Sequence, residues 1–299
     1  MSFAHLPAAD LELVAEQVWP SYVSGDYRVL GSESPPTGWF PVERFSVLGR
    51  GKRVSLILPC DRSVAARGLK AHPGLRSMPR RAGRIVLALG LASRLIRVRR
   101  TITLYSQGAE IPPTVLSQIG HELQIAPAAV MRVRRSANRK ALMQILDVNG
   151  RTVGYAKIAR DARTAAGIQT ETRMLQQLAG GTKAVRTPKV ILTGELGGLP
   201  YLVTEPLPRT LRGMRPGGPP PSIEEFAELM PVSRWAPPAR TRHFRGLETR
   251  AQMVTSRGLG PGIDDLLQGV RNIGETLPVT SRFHGDFAFW NLGRSSDGR

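Results

Sequence analysis

The apolar positions along the first 125 residues change their period several times. "AADLELVAEQVW" (8–19) repeats apolar residues at helical spacing, and "RVSLILP" (53–59) reads as a strand. Between them, "GSESPPTGWFP" (31–41) is rich in Gly, Pro and Ser and predicts a loop. "RRAGRIVLALGLASRLIRVRR" (80–100) is apolar in its middle and bounded by arginines. It falls short of the ~20 apolar residues needed to span a bilayer. Two readings fit it: a buried helix with charged ends, or a basic helix lying against an anionic membrane or nucleic acid.

From about residue 126 the texture becomes strand-like. "AVMRVRRSANRKALMQILDVNGRTVGYAKIA" predicts three strands, with the Asn-Gly of "DVNGR" making the second and third antiparallel neighbours. "ARTAAGIQTETRMLQQLAGG" predicts a helix ended by Gly180–Gly181. "VRTPKVILTGELGGLPYLVTEPLP" adds two strands about a Gly-Gly turn. Five strands with one helix after the third make an α+β lobe. "PLPRTLRGMRPGGPPPS" (206–222) is too rich in breakers to form an element and reads as a connector. Beyond it, "SIEEFAELM" and "GIDDLLQGVRNIGETL" carry helical periodicity with acids in their first turns, as the helix dipole favours. The second of these helices should end near Leu277 and lead through "VTSRF" into a loop.

The 299 residues are 41% apolar, enough for a substantial core. One cysteine, Cys60, excludes an intramolecular disulfide and a CxxC metal site and fits a reducing cytoplasm. The N-terminus lacks the basic, apolar-cored pattern of an export signal, so a cytoplasmic location is expected. The formal charge is +19, carried by 36 Arg and 6 Lys. Residues 62–109 hold 11 basic residues and no acid, which makes a local field.

The chemistry concentrates in "HGDFAFWN" (284–291). A carboxylate at Asp286 suits the orientation and deprotonation of a substrate hydroxyl. An Asn amide oxygen five residues on, at Asn291, suits a Mg²⁺ that bridges nucleotide phosphates. Phosphoryl transfer needs positioning and charge neutralisation more than covalent chemistry, so such a pair is useful.

"FHGDFAFWN" resembles the catalytic loop of the aminoglycoside phosphotransferase and choline kinase family, a relative of the protein kinases. The resemblance covers about 126–299. It implies a protein-kinase-like bilobal fold: a five-stranded N-lobe with one helix and hinge (126–208), and a mostly helical C-lobe (209–299). An extra basic N-terminal α/β region (1–125) precedes them. Lys157 in "VGYAKIA" is similar to the family's strand lysine that grips the nucleotide phosphates. Glu171 in "TETRMLQQL" is similar to its helical ion-pair partner. "YLVTEPLP" resembles the strand and hinge that bind adenine through backbone groups, which points to Thr204, Glu205 and Leu207. The resemblance further implies ATP or GTP with Mg²⁺, Asp286 as the catalytic base, and a small hydroxyl compound as acceptor. His284 shapes the loop as a hydrogen-bonding residue, and Trp290 packs it against the larger lobe.

The sequence departs from the family pattern in two places. "RRSANRKA", between the first two strands, lacks the phosphate-covering glycines; Ser136, Asn138 and the basic residues around them either contact phosphate through side chains and backbone amides or form a solvated hairpin end. After Asn291, "LGRSSDGR" reads as the first half of a hairpin, with Asp297 in its turn. The family's second metal-binding Asp would follow, so the chain is expected to be C-terminally incomplete. Two alternatives stay open: a catalytically impaired kinase-like protein that binds nucleotide or a partner, and a basic N-terminal region acting at an anionic membrane or on nucleic acid through 62–109. No nucleic-acid-binding motif accompanies that charge, so a specific nucleic-acid partner is not expected.

Overall fold

The computed structural model describes residues 7–19, 27–31, 34–35, 37–50, 53–71, 78–98, 100–107, 113–133, 135, 140–179, 187–207, 212–213, 232–256, 262–274, 277–280 and 293–294. The chain divides into two compact units. The first comprises 1–180, 187–214 and 292–298, and the second 181–186, 215–291 and 299.

The first unit is built on one antiparallel sheet. Its strands are β1 (Tyr27–Leu30), β2 (Trp39–Arg50), β3 (Arg53–Pro59), β4 (Arg100–Gln107), β5 (Ala128–Arg132), β6 (Ala141–Leu146), β7 (Thr152–Ile158), β8 (Val190–Leu196) and β9 (Leu199–Thr204). They lie side by side in the order β1-β4-β2-β3-β5-β6-β7-β9-β8. The five strands expected over 126–208 all form. They are not a separate sheet, however, because β5 pairs with β3 through Leu56↔Arg132 and Ile57↔Met131, giving nine strands in all. The boundary expected at residue 125 therefore falls inside one hydrogen-bonded sheet. The physical cause is that β5 presents a strand edge which the 1–125 region covers instead of leaving exposed.

Helices α1 (Ala8–Val18) and α4 (Val115–Leu123) cover one face. Val14, Val18 and Trp19 of α1 and Ile119 of α4 pack there with Ile57, Met131, Met143, Ala156 and Val203, drawn from both halves of the sheet. The opposite face carries α2 (Arg62–Ala71), α3 (Met78–Ala92) and α5 (Ala162–Leu178). Leu69 of α2 and Leu91 of α3 pack with Leu58, Val130 and Leu146, and Ile168 of α5 packs with Leu202. Gln144 joins α2 to the sheet by donating from Nε2 to the Gly68 carbonyl (2.9 Å) and to Thr152 Oγ1 (2.8 Å).

Local chemistry explains most element ends. The β6–β7 turn is a three-residue loop with a left-handed Gly150 (φ +71°), and Asp147 Oδ1 accepts from the amides of Asn149 and Arg151. The β8–β9 turn uses Gly197 (φ +59°) and Gly198 (φ +75°), the two positive-φ positions of a tight hairpin. Asp161 caps α5 and exchanges hydrogen bonds with Thr164 in a capping box.

Several expectations change. Trp39–Pro41 belongs to β2, and Pro41 is tolerated because the register shifts beside it. The 80–100 segment is not a buried helix. α3 ends at Ala92, and only one of its faces packs, with Val86 66% and Leu89 58% exposed. The 206–222 connector contains a two-residue strand, β10 (Arg212–Gly213), which pairs with β13 (Gly293–Arg294). Gly293 and Arg294 thus pair backwards with the connector, and the other residues after Asn291 lie outside the described residues. Elements β1, β4, α2 and α4 carried too short or too mixed a period to stand out in the sequence.

In the second unit, β11 (Val232–Ala236) pairs antiparallel with β12 (Leu277–Thr280). The helix expected to reach Leu277 spans only Ile263–Arg271, and Leu277 starts a strand. A further helix, Arg242–Thr255, buries Phe244 and Ala251, and Arg271 reaches back to its Glu248 (2.9 Å). The expected helix at "SIEEFAELM" lies outside the described residues. Among the described residues there are seven α-helices, none long and apolar enough to cross a membrane.

Candidate functional site

β7 lies between β6 and β9, with Leu142 and Leu202 opposite Lys157 on its two sides. Directly opposed residues share a face, so Lys157 projects toward the layer containing α2 and α5. α5 packs there through Ile168, three residues, about one turn, before Glu171. The result is an ion pair from Lys157 Nζ to Glu171 Oε1. The strand lysine and helix glutamate singled out in the sequence are in direct contact.

A third group joins them. Lys140, just before β6, donates to the other carboxylate oxygen, Glu171 Oε2, at 2.7 Å. Its stem runs beside Gly167 of α5, where a Cβ would stand 3.5 Å from the Lys140 Cε. Lys140 and Lys157 fall on one face because of a bulge. The register passes from Leu146↔Thr152 to Ile145↔Gly154 and leaves Val153 as the extra residue. Without it, Lys157 would oppose Ala141 and the two lysines would face opposite ways.

The three side chains are each about one-quarter to one-third exposed. Burial is the strongest influence on the Glu171 carboxyl and acts to raise its pKa. The charges and hydrogen bonds of Lys157 and Lys140 outweigh it and hold the group below the usual glutamate value. Glu171 is accordingly ionised at neutral pH. Among the described residues, one carboxylate between two ammonium groups leaves one positive charge in excess, and in a partly desolvated site that excess attracts an anion.

The strand expected to lead into a hinge is β9. Thr204 is buried, opposite both Tyr155 of β7 and Val190 of β8. The Glu205 amide donates to the Lys189 carbonyl (2.9 Å), and its side chain accepts from the Lys189 amide. Its N–H is therefore engaged within the protein. Leu207 follows, half-buried. Arg135, in the loop read as a phosphate contact, forms a bidentate pair with Asp10 of α1 (3.0–3.1 Å). Asp10 also accepts from the Val54 amide, and its hydrogen bonds to Arg135 hold its carboxyl below the ordinary range despite burial. Arg135 thus fastens α1 to the sheet.

His284, Asp286, Trp290, Asn291, Asp297, Ser136 and Asn138 lie outside the described residues. Among the described residues no cluster of three His, Cys, Asp or Glu suits a metal ion.

No family model, curated protein or solved structure matches this chain. Its chemistry has to be read from its own residues.

Lys140 is one of the basic residues of "RRSANRKA" that the sequence offered only collectively as phosphate contacts; its pairing with Glu171 was not read. Its own signal was position: a basic residue entering the strand that pairs with the Lys157 strand. That became informative only through the bulge.

Proposed function

We propose that this protein is an ATP- or GTP-dependent phosphotransferase acting on a hydroxyl group of a small molecule. The observation that carries this reading is the ion pair of Lys157 with Glu171, widened by Lys140 into a site with one excess positive charge among the described residues. Glu171 fixes two flexible ammonium groups in place before an anion arrives, so less side-chain entropy is lost on binding. Lys157 and Lys140 hold nucleotide phosphate oxygens, and Glu171 orients both. The backbone beyond β9 receives the base; with the Glu205 N–H engaged, the donor role passes to Leu207. The nucleotide supplies the phosphoryl group. The "HGDFAFWN" segment supplies the rest, with Asp286 accepting the proton of the acceptor hydroxyl and Asn291 as a Mg²⁺ ligand. A protein-kinase-like arrangement is part of this proposal.

The test is calorimetric titration of the full chain with Mg·ATP and Mg·GTP, followed by product assays on a panel of hydroxyl compounds. Saturable nucleotide binding is expected. Lys157→Ala should weaken it about tenfold or more, as loss of a charge-assisted hydrogen bond predicts. Asp286→Ala should leave binding in place and abolish transfer. Unchanged nucleotide affinity in Lys157→Ala, or full turnover in Asp286→Ala, would overturn the assignment.

A further inference from the structure

α3 is apolar on two opposite sides. Ala88 and Leu91 pack into the core with α2, and Leu87 packs partly against it. Ile85, Val86 and Leu89, at spacings of one, three and four residues, form a second stripe on the solvent side. Val86 is 66% exposed and Leu89 58%. The helix then ends in a left-handed residue, Arg94 (φ +61°), with the Ile96 amide returning to the Gly90 carbonyl (2.9 Å). That turn folds Ile96 back against Gly90 and leaves Leu95 84% exposed. A stripe of large aliphatic side chains continuing into a protruding leucine is more than scattered surface apolarity.

The surrounding charge is mainly positive, with exposed Asp61 at the start of α2, beside Arg67, as an opposing acid. Residues 62–109 contain 11 basic residues and no acid. Arg94 and Arg97, which flank Leu95, are exposed, as are Arg62, Arg67 and Lys70 on the neighbouring α2. We propose that the outer face of α3 and its C-terminal turn seat this protein on an anionic lipid bilayer. Ile85, Val86, Leu89 and Leu95 enter the headgroup–acyl boundary, and the arginines pair with lipid phosphates and carboxylates. With 15 residues, α3 is about 22 Å long, too short for the ~30 Å hydrocarbon layer but suited to lie along its surface. A nucleic acid would satisfy the arginines and leave the aliphatic stripe in water. A bilayer with acidic headgroups satisfies both.

The experiment is co-sedimentation of the full chain with vesicles of phosphatidylcholine alone and of an equal mixture with phosphatidylserine. Binding to the mixed vesicles that weakens as salt rises is expected, with little binding to phosphatidylcholine alone. Val86→Glu with Leu89→Glu should reduce partitioning about tenfold or more. Arg94→Gln with Arg97→Gln should reduce it about fivefold per charge removed. Leu89→Trp should shift its emission to shorter wavelength with the mixed vesicles only, and this decides the matter if the double glutamate variant does not fold. The proposal is overturned by folded variants that bind like the wild type, or by Leu89→Trp emission that does not respond. It is equally overturned by self-association, or by DNA binding without vesicle binding, through the same face.

Discussion

Glu43 of β2 sits between α1 and the start of α4, accepting from the Trp19 indole and from Thr114 Oγ1 (3.1 Å). Burial pushes its carboxyl up to about 7 against the opposing effect of those two donors. A carboxyl whose folded pKa exceeds its unfolded value keeps its proton longer in the native state. Stability should therefore fall as pH rises from about 4.5 to about 7 and then level off, a loss of roughly 2–3 kcal/mol. Urea denaturation at pH 5 and pH 8 checks this, and Glu43→Gln, whose Oε1 can accept from the Trp19 indole while its NH2 donates to Thr114 Oγ1, should flatten the difference. Glu43 was invisible in the sequence because its neighbours come from positions 24 and 71 residues away. Lys157 and Glu171 were legible because each carries a recognisable local setting, a strand lysine and a following helix. Lys140 was not, since a single extra residue in β7 decides which face it shares.

Hairpins offer the clearest test of how elements are set against each other. Gly150 and Gly198 both have positive φ, so either replaced by Ala acquires backbone strain of about 1 kcal/mol. A Cβ at Gly198 would meet nothing within 4 Å, whereas one at Gly150 would stand 2.7 Å from Arg67 Cβ and 3.0 Å from the Val64 carbonyl oxygen. Gly150→Ala should thus cost about 1–2 kcal/mol more than Gly198→Ala, by overpacking against α2. Equal losses in the two variants, measured by chemical denaturation, would contradict the tight seating of this turn on α2. Both hairpins were readable from "NG" and "GG", since φ > 0 is a local demand. The burial of α3 was not readable, because its apolar residues serve two faces and periodicity does not say which face finds a partner.

For the whole first unit, the question is whether 126–208 stands alone. The sequence located its five strands, their order along the chain and its helix. Of the four further strands it disclosed only β3, as "RVSLILP", and not that these strands join the same sheet, because edge pairing between β3 and β5 is a matter of backbone and leaves no pattern of its own. Both faces of that junction are packed by residues from both sides: Ile57 with Met131 and Met143 on one, Leu58 and Leu69 with Val130 and Leu146 on the other. A fragment of 126–208 should accordingly lack a cooperative thermal transition, while the full chain shows one; calorimetry distinguishes them. Among the described residues the junction involves two residue pairs and one further backbone hydrogen bond, from the Val133 amide to the Ser55 carbonyl (3.1 Å), which has a consequence for the order of assembly. The β5–β6, β6–β7 and β8–β9 hairpins close short loops and form on the microsecond scale. The junction joins positions far apart in the chain, and so few hydrogen bonds give little return until α1, α2 and α4 have docked. The meeting of the two arrays of strands is therefore expected to come late, as the helices dock, and to limit the folding rate of the first unit.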